Sequence, residues 1–126
     1  MNNVLKTVND AMAAAGINYE YQEWTSEPDY PYFVGEYQEI EPVTEDGRQE
    51  TSFLLTGFTR SSYAELETAK EKIAETFPAI GGYVAITDNG SAVAIFYAGA
   101  LGNIPTGDAE LKRLQINLNI KEWKVI

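Results

Sequence analysis

The sequence contains no cysteine and no histidine. The first absence excludes a disulfide framework and thiolate chemistry. The second removes the usual base of neutral-pH catalysis and the commonest transition-metal ligand. A Ser-His-Asp triad is therefore excluded, and the Ser-x-x-Lys pattern that uses lysine as the base does not occur in the chain.

Phosphate-binding loops and long apolar runs are also missing. The chain contains neither G-x-G-x-x-G nor the Walker pattern, so its glycines are better explained as turn residues. The spaced Asp-x-Asp ligands of a calcium loop are absent around Asp46. No stretch approaches the ~18 apolar residues that span a bilayer. We therefore expect no cofactor, no metal site and no membrane partner.

Basic residues are few, with 9 Lys and Arg against 19 Asp and Glu, which gives a net charge of −10. The acids are concentrated in residues 20–50, whereas the segment from Leu101 onward is slightly basic. An acidic chain repels phosphate backbones, so sequence-nonspecific DNA binding is not expected. Such a surface instead suits a passage that DNA crosses without sticking.

The length of 126 residues and the 44% hydrophobic content predict a single globular domain over residues 1–126. Apolar residues at helical spacing predict a first helix from about Asn3 to Ala15, ended by Gly16 in a left-handed cap. A second helix begins after Ser62, which forms a predicted capping box with Glu65.

Strand patterns occur in six segments: Ile17–Trp24, Tyr32–Ile40, Glu50–Phe58, Tyr83–Thr87, Ala92–Ala98 and Leu111–Trp123. Asp46-Gly47 and Asn89-Gly90 are turn signals that predict hairpins. Residues 99–109, rich in helix- and strand-breaking residues, predict a loop. The alternation slips near Trp123, which predicts either a bulge or a strand end that reaches another surface. The pattern predicts an α+β fold, with a mostly antiparallel sheet of about five to six strands and two helices packed on one face.

The segment EPDYPYFVGEYQEIEP, residues 27–42, combines acids with aromatic residues between prolines. Stiff tyrosines among acids are typical of protein contacts, although Tyr32 and Phe33 also suit packing under the first helix. The acids permit a carboxylate-based glycosidase as a further alternative, since aromatic residues often line sugar-binding clefts. A small ligand- or protein-binding module also remains open.

Four stretches resemble the tail-terminator (tail-completion, head-tail joining) proteins of long-tailed bacteriophages: YPYFVGEY, SFLLTGFTRSS, YAELETAKEKIAETF and LKRLQINLNIKEWKV. The resemblance implies a small subunit that forms a ring, typically of six, caps the tail tube and joins it to the head. It implies no enzymatic activity and no cofactor. The implied partners are other copies of the chain, tail-tube proteins and head-connector proteins, in a virion assembled in the host cytoplasm.

A ring of identical subunits needs two different contact patches on each subunit. The acidic aromatic segment and the slightly basic last strand are the candidate patches. The interface candidates are Tyr30, Tyr32, Phe33, Tyr37, Gln115, Asn117, Asn119 and Trp123. The candidates for lining a lumen, where negative charge lets DNA slide, are Glu45, Asp46 and Glu50. No residue is a candidate for catalysis, cofactor binding or metal binding.

Overall fold

The computed structural model describes residues 2–21, 30–39, 47–104, 106–108 and 110–124. Along the chain these form α1 (Asn2–Ala14), β1 (Asn18–Tyr21), β2 (Tyr32–Glu39), β3 (Arg48–Thr59), α2 (Tyr63–Thr76), β4 (Tyr83–Ile86), β5 (Ala92–Ile104) and β6 (Lys112–Trp123). Neither of the helices in these ranges is long and apolar enough to cross a membrane.

The strands form one six-stranded sheet in the order β1-β2-β3-β6-β5-β4. The paired strands run antiparallel, except that β1 and β2 are parallel. α1 packs against β1, and α2 packs against β3 and β6. The predicted α+β fold with a mostly antiparallel sheet is confirmed.

Alternation along the central strands defines two faces of the sheet. On β3 every second residue from Gln49 to Thr59 is buried, and on β6 every second residue from Leu114 to Glu122 is buried. These residues and the apolar stripes of the helices build the core. We call this covered side the inner face and the opposite side the outer face.

Two phenylalanine rings on the inner face fit over glycines of the neighbouring strand. Phe33 and Gly57 are direct partners across β2 and β3, and a Cβ on Gly57 would lie 2.4 Å from the Phe33 ring. A Cβ on Gly35 would lie 2.6 Å from the ring of Phe53. Both rings are fully buried. Because the two glycines have no side chains, they leave the space in which the rings pack side by side in one layer.

The ends of the helices agree with the sequence only in part. Gly16 has φ 74°, and the Gly16 and Ile17 amides donate to Ala13 and Met12, as in a Schellman motif, so the predicted left-handed cap is confirmed. The predicted capping box is wrong, because the Ser62 side chain makes no cap hydrogen bond. The Glu65 carboxylate instead accepts from the Thr59 hydroxyl at 2.7 Å.

Two predictions at the ends of strands are wrong. β5 does not end at Ala98 but continues to Ile104, through register shifts against β6 that fall within the predicted loop. The predicted bulge near Trp123 is absent, since Trp123 pairs in register with β3 and β5. The sequence alternation slips there because a charged residue, Glu122, occupies a buried inner-face position.

Candidate interface on the open face of the sheet

In the part of the chain that the structure describes, the outer face carries no helix, because both helices pack on the opposite side. Its central rows come from β3 and β6, which pair along their whole length. The outer row of β3 comprises Arg48, Glu50, Ser52, Leu54, Thr56 and Phe58. The outer row of β6 comprises Arg113, Gln115, Asn117, Asn119, Lys121 and Trp123.

The outer face is richer in apolar side chains than a wholly solvated face requires. Val84 and Ile86 on the edge strand β4 are 66% and 71% exposed, and Trp123 on β6 is 40% exposed. Leu54 lines a groove of about 370 Å³ whose floor runs from β2 across β3 to β6. Ile86 and Trp123 lie in one cross-strand row with Ala92 between them, so the exposed apolar residues form a cluster at one end of the face, and such clusters mark interaction sites.

Charge on the outer face is unevenly distributed. Among the described residues of this face, β1 and β2 contribute Glu20 and Glu36 without a base. The β6 row contributes Arg113 and Lys121 without an acid. We call the outer face of β1 and β2 the acidic half and that of β4, β5 and β6 the basic half, with β3 between them.

Glu50, at the centre of this face, is held by local partners. Its carboxylate accepts from Asn119 Nδ2 at 2.9 Å and from Arg48 Nη2 at 3.2 Å. The Asn119 hydrogen bond, together with Arg48 and the nearby Lys121, holds the pKa of Glu50 below its usual value. The lumen prediction for Glu50 stays a prediction.

Tyr30 and Tyr32, at the start of β2, form an aromatic elbow that contacts two other segments of the chain. Tyr32 stacks on Phe58 with ring centroids 5.3 Å apart, and the Tyr30 ring lies 5.5 Å from that of Tyr32. Arg60 donates to the Tyr30 hydroxyl at 3.3 Å and to the Asp108 carboxylate at 3.1 Å. The Glu110 amide and Arg60 lower the pKa of Asp108. Arg60 therefore links Tyr30 to the segment that contains Asp108.

The structure brings most of the predicted interface residues to one face. Tyr32 on β2 lies on the outer face, together with four β6 residues: Gln115, Asn117, Asn119 and Trp123. Tyr37 instead lies on the inner side of β2, where it stacks on Tyr21 at 6.3 Å and is 37% exposed.

Phe33 is a wrong interface prediction, because its side chain is fully buried over Gly57 in the core. Its neighbour Tyr32 faces the other way, as alternation along a strand requires. The predicted lumen residues Glu45 and Asp46 lie outside the residues that the structure describes.

Sequence reasoning missed the apolar and basic parts of this face. Val84 and Ile86 looked like ordinary residues of a hairpin strand, and their outward direction follows only from the pairing of β4 with β5. Leu54 sits in a run of three apolar residues, Phe53 to Leu55, and it is only half-buried. The alternation of Arg113 and Lys121 with buried leucine and isoleucine residues was a signal that placed them on the polar face.

A second, smaller cleft of about 130 Å³ lies between α1 and the turn that joins β4 to β5. Lys6 spans it, with its ammonium 3.3 Å from Asp88 and 3.9 Å from Asp10. All three side chains are well exposed, so these contacts are weak surface ion pairs. In the part of the chain that the structure describes, no three acidic side chains are grouped to hold a metal ion.

A scan against models of protein families and a search of curated proteins give no match. Solved structures do match. One is a chain of the virion of a native gene transfer agent particle, 12% identical, with a TM-score of 0.67 over 90% of this chain and 84% of that chain. A second solved protein is 14% identical, with a TM-score of 0.64 over 94% of this chain and 88% of the other. At these identities the comparisons show a shared fold over almost the whole chain.

Proposed function

We propose that the protein is a structural component of a virion, and that it acts as a ring-forming tail terminator at the head-tail junction. The observation that carries this proposal is the fold shared with a chain of a virion, over 90% of this chain. The resemblance of four sequence stretches to phage tail terminators supports the same role independently of the fold comparison.

In this role the protein assembles into a ring, typically of six, that caps the tail tube and offers a surface to the head connector. The role requires a stable subunit with exposed contact surfaces. The two-layer core supplies the stable subunit, and the outer face supplies a contact surface built on the central strands β3 and β6. No catalytic residue or cofactor takes part, and DNA passes through the ring without specific binding.

The alternatives have less support. A glycosidase needs one carboxylic acid with a raised pKa, whereas the described carboxyl groups with shifted pKa values, Glu50 and Asp108, are both shifted downward. A small-ligand module predicts a closed pocket between the helices and the sheet. In this structure the buried side chains of the core pack in that space. A protein-binding module is compatible with the open face, and it differs from a terminator only in its partner.

Electron microscopy of the purified protein with tail tubes tests the proposal. We expect annular particles at the tube ends, tubes that stop growing when the protein is added, and binding located in the virion tail or neck. Tubes that lengthen unhindered, beside protein that light scattering at physiological salt shows to be monomeric at all micromolar concentrations, would overturn the terminator role.

A further inference from the structure

We propose that the outer face pairs with the outer face of a second copy, around a two-fold axis that is parallel to the strands and runs between β3 and β6. This pairing does not depend on the terminator role. It uses only the open face of the sheet and leaves the helices and both sheet edges for other neighbours.

The distribution of charge selects this direction of the axis. Rotation about an axis parallel to the strands reverses the strand order, so β1 and β2 of one copy lie over β4 and β5 of the other, and β3 lies over β6, twice. The acidic half then faces strands whose described outer-face residues carry no charge, and Glu50 faces the basic row of β6. An axis across the strands would instead place the acidic half, with Glu20 and Glu36, over the acidic half of the second copy, and like charges repel. A two-fold interface must be self-complementary, and the strand-parallel axis meets this requirement.

The central rows are complementary in more detail. With the axis between β3 and β6, the outer row of β3 lies over the outer row of β6 in the second copy. Residues that pair in register within one sheet then also meet across the interface. Glu50 meets Lys121 of the second copy, and Phe58 meets Arg113. Both are favourable contacts, the first between opposite charges and the second between a cation and an aromatic ring.

The same rotation brings Arg48 over the exposed indole of Trp123, and Leu54 over Asn117 beside the groove. Packed sheets cross at about −30°, so the rows interdigitate at a small angle rather than superpose. Trp123, at 40% exposure, is the largest side chain that this pairing would cover on the β6 row. Aromatic and arginine side chains of this kind are enriched in interfaces.

The open face is large enough for a specific dimer. β1 and β4 are short and lie at opposite ends of the sheet, so the overlap comes from β2, β3, β5 and β6. Four strands of about 4.8 Å each span roughly 19 Å, and about ten residues of overlap at about 3.3 Å each give roughly 33 Å. The footprint is then about 600 Å² per copy, which reaches the lower end of specific interfaces. We therefore expect a dimer that dissociates at low micromolar concentration and weakens as salt screens its charges.

Two charge reversals test the geometry. In a homodimer of Glu50→Lys, the lysine introduced at position 50 of one copy would face Lys121 of the other. In a homodimer of Lys121→Glu, Glu50 of one copy would face the glutamate introduced at position 121 of the other. We expect both variants to be monomeric, with affinity reduced by about 10-fold or more, in sedimentation experiments where the wild type is a dimer. Mixed in equal amounts, the two variants should recover a heterodimer, because the lysine introduced at position 50 of one then meets the glutamate introduced at position 121 of the other.

Recovery on mixing separates the interface from the in-chain pairing of Glu50 with Lys121, which stays broken in both variants. If both variants are folded by circular dichroism and their mixture stays monomeric, the proposal is wrong. It is also wrong if the wild type is monomeric at 100-fold the expected concentration, about 100 μM by the standard relation of affinity to occupancy.

Asn117→Arg supplies a test that does not disturb a charged pair. Asn117 is an exposed outer-face residue, so a long charged side chain there should leave the fold intact and block the approach of a second sheet. We expect a folded monomer, whereas the matched variant Glu75→Arg on the exposed side of α2 should remain a dimer. A dimer that persists in Asn117→Arg would overturn the pairing, and rings that still cap tail tubes would leave the terminator role intact.

Discussion

At the residue scale, the packing of Phe33 over Gly57 is the tightest constraint in the sheet. A methyl group on Gly57 would overlap a ring that is fully buried and has no room to move. We expect Gly57→Ala to lower the free energy of unfolding by about 1–3 kcal/mol, the usual cost of overpacking. Urea denaturation measures this loss.

Gly102→Ala is the matched control, because its added methyl group would meet only ordinary contacts, the nearest at 3.7 Å. Its stability should stay within about 0.5 kcal/mol of the wild type, as for an ordinary surface substitution. Equal effects of the two substitutions would show that the Phe33 ring does not fix the space above Gly57.

Glu50 gives the fold a dependence on pH whose sign follows from its lowered pKa. A carboxyl group with a lower pKa in the folded chain stabilises the fold above its unfolded pKa of about 4.3. That stabilisation is lost as the pH falls through the folded pKa. Because Glu50→Gln lacks the titrating group, we expect its urea midpoint to fall less than that of the wild type between pH 7 and about pH 3.

The comparison uses urea midpoints at several pH values, with Glu75→Gln on the exposed side of α2 as the control. The control should follow the wild-type curve, since Glu75 makes no ion pair or hydrogen bond among the interactions described for this part of the chain. If the urea midpoint of Glu50→Gln falls with pH as steeply as that of the wild type, the contacts of Glu50 with Asn119 and Arg48 do not favour its ionised carboxylate.

At the element scale, Arg60 joins three segments that are distant in sequence. It follows β3 directly and bonds the elbow before β2 through Tyr30 and the loop before β6 through Asp108. In that loop the Asp108 carboxylate also accepts the Glu110 amide, and the Leu111 amide donates to the Asp108 carbonyl. Arg60 therefore orients a loop whose own hydrogen bonds are short-range.

We expect Arg60→Ala to speed hydrogen exchange at the Glu110 and Leu111 amides, because Asp108 loses the partner that fixes its side chain. Exchange in the centre of β3 should be unchanged, since the pair is exposed. Lys72→Ala, an exposed change on α2, is the control and should leave the loop amides as they are. Unaltered exchange at both amides in Arg60→Ala would contradict this account.

The elements also show where periodicity misleads. The cap of α1, the apolar stripe of α2 and the turn between β4 and β5 follow their sequence signals closely, because these features are local. The predicted capping box of α2 is the exception. The continuation of β5 through Gly99 and Gly102 depends on pairing with β6, and no local pattern reports a partner strand. The burial of Glu122 is also not visible in the sequence, because a charged residue is expected at the surface and only the neighbouring strands cover this side chain.

At the scale of the whole molecule, the outer face and the elbow are expected to act in assembly rather than in folding. Tyr32 stacks on Phe58, lies beside the Tyr30 ring and is partly exposed. We expect Tyr32→Ser to fold normally by circular dichroism and to give fewer capped tail tubes by electron microscopy. Loss of the fold itself would place Tyr32 in the structural core and remove it from the interface.

Tyr63→Ser is the matched control for that experiment, because Tyr63 is 36% exposed on α2, away from the open face. Its substitution should leave capping unchanged. A parallel loss in both variants would indicate a general effect of removing a surface tyrosine, and the open face would lose its special role in assembly.

The sequence by itself determined the absence of cysteine and histidine, the two helices, the Asn89-Gly90 turn and the polar alternation of β6, because each depends on composition or on residues close in the chain. Only the tertiary structure decided that Phe33 is core while Tyr32 is surface, and that β3 pairs with β6. It also placed Tyr32, the acids Glu20 and Glu36 and the polar row of β6 on one face. Strand order and side-chain direction depend on partners far apart in sequence, and local periodicity carries no record of them.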